Sequence, residues 1–322
     1  MKVTFRKYDP DTDFLRVRDM LVETYGAFER PINWPFVRWE YARYFCAPML
    51  GAYGVGETSN DSLENNIEKS REAIRLWEGG VGIWENENGD IAAVVCPDEY
   101  VPWHPGYGNA FFQRRPAYDH LLDEMLEYST KTFVKDNTSN VFIPVHDRPL
   151  LNAAKKHGFV CCEKGFENWL EYDMADLPQV NLPKGFRFQS MVDNNDLENR
   201  RKIVGLSFYH KDPKEWPTLF SYEELQKAPD YRKDLDLVVV APNGNFVSCC
   251  IAWVDTHNKI AMLEPVGSIV LGMGREVLME GLHRAKELGA RSVIMETSLK
   301  YYEKIGFVKK YTYGKRWTLQ KA

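Results

Sequence analysis

Residues 264–278 read EPVGSIVLGMGREVL: the end of an apolar strand, a loop holding Gly272 and Gly274, and the first turns of a helix. Two readings compete for that loop. Glycines at a helix start let backbone amides approach an anion, and the helix dipole favours negative charge there. The same pair also serves as a tight turn between two core elements. The sequence on either side narrows the choice.

Upstream, Leu235 to Ala241, an Asn243-Gly244 turn and Phe246 to Val254 predict a hairpin, with Lys259 to Val266 as the next strand. Phe186 to Phe188 predicts an earlier strand and Asp196 to Phe208 a helix. Downstream, Arg275 to Leu288 carries Leu278, Leu282 and Ala285 on one face, and Gly289 stops that helix. Ser292 to Met295 is a further strand, Leu299 to Lys304 a short helix, and two strands follow around Phe307 and Trp317. The order is α+β, a mixed sheet with helices on its faces.

The first half repeats these landmarks. Gly158-Phe159-Val160 matches Gly306-Phe307-Val308, and Trp169 and Trp317 each follow their glycine by eleven residues. Asn88-Gly89 matches Asn243-Gly244, and Thr4-Phe5-Arg6 matches Gly185-Phe186-Arg187. Two copies of one domain are therefore expected, over 1–176 and 184–322, with the Pro178 and Pro183 stretch 177–183 as linker. The first copy is longer before its hairpin. Ser62 to Trp77, with Ile67, Ile74 and Leu76, predicts an added amphipathic helix there.

With 322 residues, a formal net charge of −5 and 44% hydrophobic residues, a globular protein of two domains is expected. No basic block points to nucleic acid, and no apolar run approaches the ~20 residues of a membrane span. The start, Met1 to Phe5, does not read as a signal peptide, so a cytoplasmic protein is expected. The cysteines at 46, 96, 161, 162, 249 and 250 form no Cys-x-x-Cys pair, and no metal is expected. Cys161-Cys162 and Cys249-Cys250 read as small core residues.

Strand, Gly-x-Gly, long helix, strand and Tyr-x-x-x-Gly-Phe, in that order, resemble the GCN5-related N-acetyltransferases. Leu263 to Gly267, Gly272-x-Gly274-Arg275 and Tyr302 to Phe307 match in turn, as does Ala228 to Val238 ahead of the hairpin. The likeness covers the whole second copy and, more weakly, the first, in the manner of tandem members. It implies two acyl-coenzyme A N-acyltransferase-like domains, each a mixed, mostly antiparallel sheet flanked by helices. It also implies acetyl transfer from acetyl-coenzyme A to a primary amine of a small molecule or peptide, in the second domain, by a monomer or homodimer.

Carried over by position, Tyr302 would be the general acid and Glu264 the base. Leu263, Val266, Gly267, Gly272, Met273, Gly274, Arg275 and Ser298 would hold the cosubstrate. Phe208, Tyr209, Trp216, Phe220, Tyr222 and Trp253 would line the acceptor pocket. Pro265 fits a strand that breaks from its neighbour, since proline cannot donate to a ladder.

The loop departs from the pattern. Ile269 stands where arginine or glutamine is expected, only four residues separate Gly267 from Gly272, and Thr297-Ser298 occupies the place of an asparagine. A degenerate scaffold that binds a ligand or serves a structural role is therefore a second reading. In the first copy Ala154 replaces the tyrosine, and Arg114-Arg115-Pro116 replaces the glycines. That copy is expected to be non-catalytic, its arginines either meeting a phosphate or lining a solvated helix entry. Aminoacyl transfer would need a basic arm for transfer RNA, which the sequence lacks.

Overall fold

The computed structural model describes residues 2–52, 63–101 and 109–320. They form two compact units, one from residues 2–52, 63–101, 109–168 and 311–320, the other from Trp169–Lys310.

The first unit opens with β1 (Val3–Lys7) and α1 (Pro10–Thr24), then α2 (Phe36–Tyr41), a π-helical turn at Ala42–Cys46, α3 (Ala47–Ala52) and α4 (Leu63–Gly80). Strands β2 (Gly82–Asn86), β3 (Ile91–Pro97) and β4 (Ala110–Arg114) follow, with α5 (Leu122–Thr132) and the short β5 (Val134–Lys135). Then come β6 (Thr138–Pro144), α6 (Arg148–Lys156) and the long β7 (Val160–Asp173). The second unit contains β8 (Arg187–Ser190), α7 (Leu197–Ser207), α8 (Leu219–Leu225), β9 (Asp236–Val240), β10 (Phe246–Asp255) and β11 (Ile260–Ser268). After these come α9 (Met273–Glu287), β12 (Ser292–Glu296), α10 (Lys300–Lys304) and β13 (Val308–Gln320).

In the first unit β1, β2, β3 and β4 are antiparallel neighbours, and β4 meets β6 in parallel. The other edge of β6 is taken by Gly314–Gln320 of β13, from Gly314 opposite Pro144 to Gln320 opposite Thr138. In the second unit β8 to β11 are antiparallel neighbours and β11 meets β12 in parallel. The far edge of β12 is taken by residues 169–173 of β7. Each sheet thus closes on a strand from the other copy of the repeat.

The compact units therefore differ from the division at residue 176: Trp169–Asp173 lies with the second and Tyr311–Gln320 with the first. The two strands expected around Phe307 and Trp317 are one strand, β13. Its only glycine, Gly314, makes no turn; the ring of Phe142 lies where its side chain would be.

Both hairpin turns form at the Asn-Gly dipeptides, with the glycines left-handed (φ +82° at Gly89 and +85° at Gly244). The amphipathic helix is α4, which buries Ala73, Ile74 and Trp77; Ser62 lies outside the described residues. Strands β3 and β9 are buried along their whole length and, apart from Asp236 at the start of β9, read as apolar runs for that reason. On β10, Cys249 lies close to Gly267, against which Ser207 of α7 packs, whereas Cys250 faces Gly281 of α9. Successive strand residues point to opposite faces, so α7 and α9 cover the two sides of this sheet. Both of these are buried thiols, as their apolar setting predicts, whereas Cys161 and Cys162 are only partly buried. Among the described residues, no helix is long and apolar enough to cross a membrane.

Candidate active site

The site begins with an irregularity in β11. Leu263 pairs with Ala252 and Val266 with Cys250, so Glu264 and Pro265 share the space opposite Ile251. A proline, having no N–H, is tolerated at such a bulge. The indole Nε1 of the buried Trp253 donates to the Glu264 carbonyl at 2.9 Å and pins the bulge from the neighbouring strand.

On its other edge β11 pairs with β12 only at Ile260, Ala261 and Met262, opposite Ser292, Val293 and Ile294. Beyond Met262, β11 continues to Ser268 and β12 to Glu296 without pairing to each other. The two parallel strands open from that point, and the backbone of β11 along the opening lacks a strand partner on this side.

The β11–α9 loop sits at the end of the opening. The Ile269 amide donates to Val247 O (3.0 Å) and the Met273 amide to Val270 O (3.2 Å). The amides of Gly272 and Gly274 reach no backbone acceptor among the described residues, as the first turn of a helix requires. Gly272 is left-handed (φ +86°), with open space where a side chain would stand. At Gly274 a Cβ would lie 3.1 Å from Ser268 Cβ and 3.3 Å from the Tyr301 hydroxyl. Ile269, Val270 and Leu271 point outward, Leu271 wholly exposed. Arg275 donates to Glu276 Oε1 at 2.6 Å, and Glu276 Oε2 accepts from the Asn181 amide at 2.6 Å. The cation at the helix start is thus already shared with a carboxylate.

Tyr302 is 7% exposed and packs edge-on against Phe307 and Tyr301. Burial above all pushes its phenol well above the ordinary tyrosine range, with Cys250, Tyr301 and Glu264 adding to the shift. Tyr302 and Glu264 are therefore within electrostatic reach of each other. Leu263 and Met273 turn their side chains into the core, leaving only backbone for a ligand. Gly267 has a packing reason: a Cβ there would stand 2.6 Å from Ser207 Cβ. Val266 is half-buried, and Ser298 is exposed ahead of α10. The Thr297 hydroxyl, not Ser298, accepts the Leu299 amide at 3.1 Å.

Of the residues expected around the acceptor, Phe208 is half-exposed and Tyr209 92% exposed, while Phe220 is half-buried. Trp216 packs onto Gly205 and donates to His210 O at 2.9 Å, which fixes the segment between α7 and α8. Tyr222 and Trp253 do not line a pocket: both are buried in the core. Tyr222 belongs to a network that the sequence reading missed. Buried Arg200 donates to Asp236 Oδ1 (2.7 Å) and to the Tyr222 hydroxyl (3.2 Å), and the Tyr231 hydroxyl donates to Asp236 Oδ2 (2.8 Å). A charged residue on the same helix face as Ile203 and Val204 was the available signal, because a buried guanidinium requires a partner.

The first unit repeats the opening and fills it. Its strands β4 and β6 pair only at Ala110 and Val141. Arg114, at the end of β4, then bridges to Asp147 after β6 through two bonds of 2.7 and 2.8 Å, both side chains being buried. Asn33 bonds the Arg114 amide (3.0 Å) and carbonyl (2.8 Å) as a neighbouring strand would. Arg114 is thus neither a phosphate ligand nor part of a solvated helix entry. Arg115 is tied to Glu23 and to the Ile91 carbonyl. Ala154 is fully buried at the place corresponding to Tyr302.

No family profile and no curated protein matches the chain. Solved structures do. A GCN5-related N-acetyltransferase from Sphaerobacter thermophilus aligns over 99% of this chain and 95% of its own, with TM-score 0.53 and 15% identity. A tandem protein of the same class from the clavulanic acid biosynthesis pathway aligns over 99% and 98%, with TM-score 0.58 and 12% identity. Saccharomyces cerevisiae N-myristoyltransferase with bound myristoyl-coenzyme A aligns over 99% and 79%, with TM-score 0.56 and 9% identity. The chain has the tandem fold of the GCN5-related N-acetyltransferases.

Proposed function

We propose that the second unit transfers an acyl group, acetyl in the simplest case, from its coenzyme A thioester to a primary amine. One conjunction carries this reading. A strand pair that opens after Met262, a glycine loop with unpaired amides and a buried phenol near a carboxylate lie in one unit. The fold's likeness to acyltransferases supports it.

The thioester supplies an activated carbonyl and a thiolate leaving group. The amides of Gly272 and Gly274 receive the diphosphate, with the dipole of α9 behind them. The unpaired stretch of β11 beyond Met262 holds the pantetheine arm and polarises the carbonyl. The neutral amine nitrogen forms the C–N bond and in doing so gives up a proton to Glu264, directly or through one water, while the C–S bond breaks and its electron pair goes to sulfur. Burial keeps the Tyr302 phenol protonated. An alkyl thiol titrates near 8.5, below a buried phenol, so the proton rests on Tyr302. This residue therefore acts by hydrogen-bonding to the departing thiolate rather than by complete proton transfer. Phe208, Tyr209 and Phe220 line the approach of the acceptor. The first unit, its opening bridged by Arg114, Asp147 and Asn33, is non-catalytic.

Calorimetric titration with acetyl-coenzyme A, beside Gly274→Trp, tests the reading, followed by a panel of amines with thiol release as the readout. Micromolar binding that the variant loses, and thiol release with any amine, are expected. No binding and no thiol release would leave the unit a scaffold without transfer activity.

A further inference from the structure

The first unit contains a cavity of about 450 Å³ in front of the Arg114–Asp147 bridge. Small-molecule sites commonly measure ~300–1,000 Å³. Its apolar wall is Phe28, Ile32 and Pro149, and its polar wall, besides the bridge and Asp119, is Glu29, Arg30, His146 and Arg148.

The ionic pairing here is lopsided. Arg114 has two carboxylates, Asp147 and Asp119, to itself. Among the described residues neither Arg30 nor Arg148 has a carboxylate within ion-pair distance. Arg30 instead donates to His146 Nε2 at 2.7 Å, while its guanidinium lies 5.0 Å above the Tyr311 ring. The edge-on contact of His146 with the same ring, 5.0 Å between centroids, fixes the imidazole. An arginine that donates to an imidazole, with a second arginine nearby, is oriented but not neutralised. Such a group binds a carboxylate or phosphate through charge-assisted bonds.

We propose that this cavity binds a small organic anion, its carboxylate or phosphate held by Arg30, His146 and Arg148 and its apolar part against Phe28, Ile32 and Pro149. The Arg114–Asp147 bridge closes the way between β4 and β6, so the ligand lies in front of the strands rather than threading between them. The site is independent of acyl transfer in the second unit.

Protonation is coupled to this binding. Burial, Arg30 and Arg148 lower the His146 pKa, and Glu29 opposes them. The remaining charged groups of the cavity, Asp147 and Asp119, are engaged with Arg114, and the Tyr311 ring offers no charge. A bound anion offsets the two guanidinium groups and raises the His146 pKa, so affinity rises as pH falls through the titration of this residue.

The full chain, labelled in its histidine rings and with His146 assigned from His146→Gln, is titrated by NMR with succinate and, separately, with inorganic phosphate. Ionic strength is held constant with chloride. Saturable movement of the His146 resonances and a raised titration midpoint are expected in at least one arm. Response to succinate alone identifies a carboxylate ligand, and response to phosphate alone a phosphate ligand. Arg30→Ala and Arg148→Ala, both exposed positions, should weaken binding about tenfold or more with melting unchanged. No movement in either arm, or equal affinity in both arginine variants, would overturn the proposal. The ring of His146 also separates this site from phosphate bound at the glycine loop.

Discussion

Replacing Gly272 and Gly274 by alanine, one at a time, separates two demands that the loop meets with one residue type. At Gly272 the space is open and the backbone is left-handed at φ +86°, so the cost is conformational, ~1 kcal/mol. At ~2–4 °C per kcal/mol for a unit of this size, the melting temperature should fall by roughly 3 °C. At Gly274 the added Cβ would stand 3.1 Å from Ser268 Cβ and 3.3 Å from the Tyr301 hydroxyl. Those neighbours must give by a few tenths of an ångström, costing ~1 kcal/mol, which the better helix propensity of alanine largely offsets. Stability should therefore hardly change, while the amide proposed to meet the diphosphate moves. A charge-assisted bond is worth ~1.5–3 kcal/mol, so acetyl-coenzyme A should bind about tenfold to a hundredfold more weakly. Tyr301→Phe removes one of the two crowding atoms, and in the double variant part of that affinity should return. Scanning calorimetry and isothermal titration read both effects. A Gly272→Ala protein that melts like the parent, or a double variant no tighter than Gly274→Ala, would refute this account of the two glycines.

Tyr302→Phe, which removes one hydrogen-bond donor to the developing thiolate, should lower kcat by ~10²–10³ with KM little changed, as initial rates over a range of amine concentrations would reveal; an unaltered kcat removes the phenol from the reaction. A chain ending at Lys310 should lose amide-exchange protection at Val141 and Ile143, opposite Trp317 and Lys315, while β9 and β10 of the second unit stay protected; the reverse pattern would contradict the strand exchange. Glu99 is raised from 4.5 to about 7, first by burial and then by Asp98. The folded protein thus holds a proton that the unfolded chain releases. That stabilisation is complete below pH 4.5 and is lost as pH rises to about 7, on the order of 3 kcal/mol in all. Urea titrations of the parent and Glu99→Gln across this window should diverge, and parallel curves would discount the residue.

Local pattern carried the elements of the second unit well. Asp196 caps α7 by accepting the Asn199 amide, Gly289 ends α9 in a left-handed conformation, and the Asn243-Gly244 turn joins β9 to β10. These signals lie within a few residues of what they specify. Strand partners do not. Nothing in VKKYTYGKRWTLQ distinguishes pairing with β6 from pairing within its own copy, because its residues mark a strand with buried positions at Tyr313 and Trp317 but not the strand beside it. Placing Tyr222 and Trp253 in a pocket failed for a related reason. Tyr222 lies three residues before the buried Leu225 on α8, and Trp253 lies on a strand buried at all but one position. Position along the element was better evidence than nearness to exposed aromatic residues.

The deeper difference between the copies lies in how each satisfies an opened strand. A buried backbone N–H or C=O needs a partner, be it protein, water or ligand. In the first unit the partner is built in: Asn33 meets both backbone groups of Arg114, and the guanidinium beyond them is neutralised by Asp147 and Asp119. None of these residues belongs to the landmarks the copies share, and Asn33 follows β4's own sequence by no local rule, lying far upstream of it. In the second unit the stretch of β11 past Met262 has no strand partner on the β12 side among the described residues, and the amides of Gly272 and Gly274 that follow reach no backbone acceptor among them. A strand edge left without a strand partner on the β12 side, next to a phenol held protonated by burial, is costly to stability unless something else binds there. That asymmetry, more than the Gly-x-Gly spacing, favours the second unit as the place where a thioester is held.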